Sequence, residues 1–436
     1  LFDGCAHAVF PGKQVTSMAK RGSILTLNAG SSSLKFAVFD AASGLRRSAY
    51  GEVEKLDSSP RLRACDATGA VLAEHDLAAG QADRFAAALH AVLAFTDAHL
   101  GAGGLMAVGH RVVHGGAAHI GPELITPALI AGLRELTKLD PLHMPNNLAP
   151  MEAIAAVRPK LPQVACFDTA FHHTIPSVAT QCALPREVSA AGVRRYGFHG
   201  LSYDYIVSCL KRDSPALACG RVIAAHLGSG ASLCALQGGV SIATTMGLTA
   251  LDGLVMATRC GSLDPGVILY LGREGHSFAD IEDMLYRRSG LLGVSGISDD
   301  VRVLLASADP RAREAIDLFT YRIACEVGGL VSALGGLDGV VFTAGIGEHA
   351  PAIRAAVCGR LAWLGLRLDD AANAANARRI SALDSTIDIL VIPTDEELTI
   401  ARGTQSVVHA GGASHHDESG PRGGATAQAS AESLAR

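Results

Sequence analysis

The sequence predicts a mixed α/β fold divided into two domains, on three observations. The chain runs to 436 residues, too long for a single ordinary hydrophobic core. Runs with strand character alternate with runs of helical period, the mark of the α/β classes. One local plan also occurs twice. "LNAGSSSLKFAVF" (Leu27–Phe39) and "HLGSGASLCAL" (His226–Leu236) each set a Gly/Ser turn between two strands, with Ser-Leu opening the second.

The ordered part opens with a hairpin, "ILTL" (Ile24–Leu27) and "LKFAVFD" (Leu34–Asp40) around "NAGSSS" (Asn28–Ser33). Residues 83–99 follow as a helix, with Phe85, Leu89, Val92, Leu93 and Thr96 on one face. "QVACFD" (Gln163–Asp168) is a strand that ends on a carboxylate. "RVIAAHLGSGASLCAL" (Arg221–Leu236) is strand, Gly/Ser turn, strand again. A helix over Ala315–Leu334 gathers Ile316, Phe319, Ile323, Val327 and Leu330. "GVVFTAGIGEH" (Gly339–His349) reads as a strand running into a glycine turn, and "IDILVIP" (Ile387–Pro393) is the last strand.

Hydrophobic residues make up 49 % and charged residues 18 % of the chain, which suits a packed globular enzyme. A formal net charge of -5 gives no general basic surface for nucleic acid. The ten cysteines include no C-x-x-C pair, so scattered reduced thiols of a cytoplasmic protein are expected, not a zinc site or disulfides. No apolar run is long enough to cross a bilayer. Residues 1–22 read as an N-terminal extension, disordered, with Met18 as the expected start. Its basic Lys20 and Arg21 come last and Asp3 first, the wrong order for a secretory signal. The Gly/Ser/Ala-rich segment 411–436 is expected to be a disordered tail.

A polyphosphate needs many N–H donors close together with no side chain in the way. Glycine lets the backbone approach, successive amides form an anion nest, and serine adds hydroxyl donors. "NAGSSSLK", "HLGSGAS" and "AGIGEH", each after an apolar strand, therefore point to nucleotide binding. The chain has no G-x-x-x-x-G-K-[ST] and lacks the H-R-D and D-F-G of protein kinases, so neither of those classes fits.

The ordered blocks resemble the acetate kinase family, within the actin-like, sugar kinase and Hsp70 superfamily. They are "LNAGSSSLKF" (Leu27–Phe36), "GHRVVHGG" (Gly109–Gly116), "PLHMPNN" (Pro141–Asn147), "FDTAFHHTIP" (Phe167–Pro176) and "RRYGFHG" (Arg194–Gly200). "HLGSGAS" (His226–Ser232), "TTMGLTALDGLVMATRCGSLDPG" (Thr244–Gly266), "SGISDDVR" (Ser295–Arg302), "FTAGIGEH" (Phe342–His349) and "PTDEELTIARGT" (Pro393–Thr404) complete the set. The resemblance implies two duplicated actin-like (ribonuclease H-like) domains with a central cleft. The first would hold residues 23–168 plus 397–410, the second 169–396. It also implies a homodimer, ATP/ADP as substrate, and Mg²⁺, with Mn²⁺ as a substitute. The partners would be acetate or propionate and the acyl phosphate.

A carboxylate acceptor is already ionised at neutral pH and needs no base. The obstacle is repulsion between anions, so catalysis should rest on positioning and electrostatics. The resemblance assigns Arg111 and Arg259 to the carboxylate and the transferring phosphoryl, in keeping with the guanidinium fork. It assigns His199 to stabilising the phosphoryl in the transition state, with His143 a second candidate. Asp168 is the family's catalytic aspartate, read here as organising Mg²⁺-bound water or Arg259. Asn28 and Glu396 match metal positions. Lys35 matches a nucleotide contact, and His226, Leu227, Gly228, Ser229 and Gly230 the phosphate loop. Asp300, Val301 and Arg302, with Gly345, Ile346, Gly347, Glu348 and His349, match the adenosine pocket. Val113, Leu142 and Ala250 match the acyl wall. His114 and His119 are expected to be structural.

Three positions depart from the family pattern. Ser229 stands where the loop usually has Asn, Val301 where an aromatic ring usually stacks, and Ala250 where the acyl wall usually has Pro. A smaller wall residue predicts that propionate is accepted well, since one methylene discriminates by only ~1–3 kcal/mol. The alternatives are a propionate or butyrate kinase, or an actin-like nucleotide switch without catalysis. The switch needs no carboxylate clamp, and Arg111, Asp168, His199 and Arg259 argue against it.

Overall fold

The computed structural model describes residues 22–30, 32–78, 84–101 and 104–414. The readings of an N-terminal extension and of a tail beyond Ser414 lie outside those residues. The strands are β1 (Ser23–Ala29), β2 (Leu34–Asp40), β3 (Arg46–Glu54), β4 (Arg61–Asp66), β5 (Val71–Asp76), β6 (Leu105–Val112), β7 (Glu123–Leu124) and β8 (Gln163–Phe167). They continue as β9 (Arg221–Leu227), β10 (Ala231–Gln237), β11 (Val240–Thr244), β12 (Gly339–Thr343) and β13 (Asp388–Val391). The helices that matter for the site are α1 (Arg84–Leu100), α2 (Met144–Val157), α3 (Gly200–Asp213), α4 (Pro310–Leu334), α5 (Ala344–His349) and α6 (Glu396–Ser414).

The first sheet has the order β5-β4-β3-β2-β1-β6-β8-β7, the second β11-β10-β9-β12-β13. Without β4, β5 and β7 the first reads β3-β2-β1-β6-β8, which is the plan of the second. In both, an antiparallel meander of three strands is followed by two strands parallel to the first. The two Gly/Ser turns noted in the sequence occupy the same place, joining the first and second strands of each unit.

The central strands of each sheet are covered on both faces, as parallel strands require. Alternate side chains go to opposite sides. Leu25, Leu27, Phe36 and Val38 pack with Leu89, Val92 and Leu93 of α1, while Ile24, Ala37 and Phe39 pack with Ala401 of α6. In the second sheet Ile223, Ala225 and Leu233 join Phe319, Ile323 and Val327 of α4, and Val222, Ala224 and Cys234 join Ile206 and Leu210 of α3. Burying one such side chain stabilises by roughly 1.5–3 kcal/mol.

α6 lies against the first sheet. Gly109 makes this possible, because a Cβ there would meet Thr404 Oγ1 at 2.2 Å and Ile400 Cγ2 at 2.6 Å. The first of its Glu residues, Glu396, is thereby carried to the carboxyl ends of β1, β6 and β8.

Three details depart from the sequence expectation. α4 begins earlier, at Pro310, because the Asp309 side chain accepts from Arg311 N and Pro310 fits the first turn. Gly345 and Gly347 form no glycine turn, since α5 starts directly after β12. Residues 411–414, expected in the tail, continue the backbone of α6. Among the described residues no helix is long and apolar enough to cross a membrane.

Candidate active site

Asn28, Arg111 and Asp168 stand at or just past the carboxyl ends of three neighbouring strands, where α/β folds place their chemistry. β6 and β8 run parallel, with Val112 opposite Phe167, so Arg111 and Asp168 come side by side. Arg111 Nε lies 3.2 and 3.1 Å from the two Asp168 oxygens and Nη2 lies 2.5 Å from Oδ2. Nη1 donates to Asn28 Oδ1 at 3.1 Å, and Glu396 Oε2 stands 4.0 Å from Nε. Asp168, expected to organise a metal-bound water or Arg259, grips Arg111, because the parallel register makes those two neighbours. Burial pushes the Glu396 carboxyl up to about 7, opposed by Arg111 and reinforced by Asp168 and Glu397. Lys35, exposed on β2, pairs in register with Asn28.

The second sheet brings its own groups to the same place. Gly200 N donates to Asp168 O at 2.9 Å, and a Cβ on Gly200 would sit 2.1 Å from that oxygen. His199 is thus held one residue from the Asp168 backbone. Its φ of 58° is left-handed, a costly conformation for a non-glycine residue that collects at functional sites. Nδ1 of His199 lies 2.8 Å from Ser232 Oγ, and the ring stacks on His226 with centroids 4.1 Å apart. Burial, then the charges of His226, Arg111 and Arg259, hold the His199 pKa well below its ordinary value, so the ring is neutral. Burial similarly lowers His226 to about 3.

The loop between β9 and β10 faces two ways. A Cβ on Gly230 would lie 3.2 Å from His199 Nε2 and 3.7 Å from Arg259 Nη1. Gly228 and Ser229 line a cavity of about 570 Å³ with Asp300, Val301, Arg302, Gly345, Ile346 and His349. Ser229 O accepts from Ala257 N at 3.1 Å, tying the loop to the segment that carries Arg259. Arg259 Nη1 donates to Ala250 O at 3.0 Å. Val113, Ala250 and Phe198 belong to one buried apolar cluster, and Leu142 is half-buried just before α2.

Some expected residues lie elsewhere. Leu227 is fully buried in the core. Gly347 and Glu348 do not line the cavity. Their carbonyls accept from Arg354 Nη1 at 2.8 and 2.9 Å, and Glu348 Oε1 accepts from Thr394 N. His143 stays beside the site, its Nδ1 2.8 Å from Oδ1 of Asp140, whose charge acts on Arg259. His119 pairs with Glu123, and His114 Nδ1 accepts from Gly116 N. Sequence reasoning missed Tyr203 and Ser232, behind His199, and Arg354, beneath α5. A signal was present for Tyr203, which follows His199 by one helical turn, and for Ser232, which pairs with His226 across β9 and β10.

Two copies of one strand plan, meeting where a buried histidine and Arg259 lie against a glycine loop and Asp168 holds Arg111, define the duplicated actin-like class. A family model described as the acetokinase family matches residues 23–402, and the chain belongs to that family. An acetate kinase of Rhodopseudomonas palustris is 54 % identical over 386 residues, 87 % of this chain and 96 % of that one. One of Rhizobium meliloti is 46 % identical over 394 residues, 89 % of this chain and 98 % of that one. Among solved structures, a propionate kinase from Francisella tularensis superposes with a TM-score of 0.82 at 36 % identity, covering 88 % of this chain and 100 % of that one. The acetate kinase of Porphyromonas gingivalis gives 0.77 at 35 %, covering 89 % and 100 %.

Proposed function

We propose that the protein is an ATP-dependent kinase of short carboxylic acids that converts acetate to acetyl phosphate reversibly and accepts propionate. The observation that carries this reading is the meeting of Arg259 and neutral His199 at the loop of Gly230, within the field of Arg111 and beside a cavity of about 570 Å³. A carboxylate oxygen of the acid attacks the γ-phosphorus, and its electron pair forms the new P–O bond. The bond to the β,γ-bridging oxygen breaks, and that electron pair leaves with ADP. No proton moves, so the protein's task is to hold two anions together and stabilise spreading charge.

In this reading Arg111, oriented by Asp168, holds the acid, and Val113, Leu142 and Ala250 wall its short chain. Arg259 and His199 meet the phosphoryl oxygens. The loop 226–230 and Lys35 take the polyphosphate, and the cavity behind Ser229 takes the nucleoside. The amide oxygen of Asn28 and the Glu396 carboxylate suit Mg²⁺, or Mn²⁺ in its place, which takes few protein oxygens and keeps several waters. The upward push on the Glu396 carboxyl fits a position meant to face a cation. Bound there, the metal would neutralise charge on the β- and γ-phosphates.

The reading extends to two domains, 23–168 with 397–410 and 169–396, and to a cytoplasmic location, where ATP is made and thiols stay reduced. It extends also to a homodimer. The helix Pro265–Arg273 has no buried residue, and Leu269 and Tyr270 on it are 60 % and 57 % exposed. A second copy would cover that apolar surface. The test of the activity is acyl phosphate trapped by hydroxylamine from Mg-ATP with acetate, propionate, butyrate or no acid. Acid-dependent product supports the kinase. Nucleotide binding without product would reduce the protein to a switch.

A further inference from the structure

We propose that Tyr203, acting through Ser232, is a positioning residue that keeps the single proton of the His199 ring on Nε2, aimed at the glycine loop. Tyr203 and Ser232 are both fully buried. The Tyr203 hydroxyl lies 2.5 Å from Ser232 Oγ, and Ser232 Oγ lies 2.8 Å from His199 Nδ1. Among the described residues Ser232 is the one side chain bonded to that phenol.

The direction of the chain follows from the chemistry of each member. Burial keeps the phenol protonated at any working pH, and Ser232 Oγ is the acceptor within its reach. Ser232 therefore accepts from Tyr203 and turns its own proton to His199 Nδ1. A neutral imidazole that accepts at Nδ1 must donate at Nε2. Nε2 lies 3.2 Å from where a Cβ on Gly230 would stand, next to Arg259. The stacked His226 has its Nδ1 on Ser202 Oγ at 2.8 Å, so both rings turn their Nδ1 edges away to hydroxyls. Without the phenol, Ser232 is free to accept from an Nδ1–H. His199 would then present a lone pair to the phosphoryl oxygens it is read as stabilising.

The kinetic consequence rests on the kinase reading, but the tautomer does not. Nitrogen-15 NMR of histidine-labelled full-length protein, with His199 assigned by its loss in His199→Gln, reads it directly and without nucleotide. The expected spectrum has a protonated Nε2 and a hydrogen-bonded, unprotonated Nδ1. A proton found on Nδ1 overturns the proposal, whatever the activity. Tyr203→Phe keeps the buried ring and removes only the hydroxyl. It should move the Nδ1 resonance towards the protonated value and lower kcat roughly 10-fold with KM for ATP and acid unchanged. Wild-type kcat together with an unmoved Nδ1 would overturn the role of Tyr203. Failure to make acyl phosphate with any acid would sink the kinase reading alone.

Discussion

Asp168 holds Arg111 by one edge of its guanidinium, with Nη2 2.5 Å from Oδ2 and Nε within 3.2 Å of both oxygens, while Nη1 turns to Asn28. Such a fork fixes the plane of the guanidinium. The acceptor acid arrives ionised, so Asp168 has no proton to take from it. Asp168→Asn should therefore lower kcat/KM for acetate at least about 100-fold through a misplaced Arg111. The shape of the pH–rate profile should be kept. Initial rates of hydroxamate formation across pH check this, and loss of a single ionisation in the variant's profile would make Asp168 a base after all.

Ala250 gives its backbone oxygen to Arg259 Nη1 at 3.0 Å, and its side chain packs in the cluster of Val113 and Phe198. Enlarging the side chain leaves that carbonyl in place and fills the wall. In Ala250→Leu the ratio of kcat/KM for propionate to that for acetate should fall about 10-fold, the ordinary worth of a methylene in an apolar site. A ratio equal to that of the wild type would remove Ala250 from the acyl wall.

The hairpin of β1 and β2, the helix α1 and the end of β8 at Asp168 were legible because each is written in a local period or turn. The repeated Gly/Ser plan carried more, since it suggested two units built on related hairpins, and the turns do join the first two strands of two sheets that share one plan. What was not legible depends on groups far apart in the chain. Ser232 and Tyr203 are 29 residues apart, and no spacing rule links a strand serine to a helix tyrosine. The "AGIGEH" segment misled for a different reason. Its two glycines suggest a turn, but Arg354, buried and five residues beyond His349, supplies donors to the last carbonyls of α5 and makes a helix the better solution.

Acid should destabilise the fold through its buried histidines. Burial lowers His110 and His172 each to about 4, and His226 to about 3, from 6.5. The unfolded chain binds these protons below pH 6.5 and the native state does not. Stability from these neutral rings is thus complete above pH 6.5 and is lost as pH falls towards 4, at up to about 1.4 kcal/mol per unit for each ring. Melting temperature measured from pH 7.5 to 4.5 should drop steeply below 6.5. In His110→Asn, whose ring otherwise bonds Gln163 Oε1 at 2.8 Å, the drop should be shallower. An equal slope would exclude His110 as a contributor.

The exposed apolar helix Pro265–Arg273 gives the homodimer its test. Leu269→Asp with Tyr270→Lys puts two charges where a partner would need apolar area, and should yield a monomer by sedimentation with an unaltered circular dichroism spectrum. A wild-type protein that sediments as a monomer at micromolar concentration would refute the homodimer outright.

Arg354 is fully buried, and among the described residues its partners are amide and backbone oxygens, not carboxylates. Nε and Nη2 donate to Asn373 Oδ1 at 2.8 Å and Asn373 O at 2.7 Å, and Nη2 also reaches Asn376 Oδ1 at 2.7 Å. Nη1 takes Gly347 O and Glu348 O. The guanidinium thus staples α5, whose Gly345, Ile346 and His349 line the cavity read as the nucleoside site, to the loop at Asn373. Burial lowers its pKa, yet a guanidinium stays charged at neutral pH. Arg354→Met keeps the volume and strands those carbonyls, at about 3–5 kcal/mol of stability. At a temperature where the variant is still folded, KM for ATP should rise several-fold while KM for acetate stays put. Equal rises in both would mean that Arg354 supports the fold as a whole and has no particular hold on the nucleotide cavity.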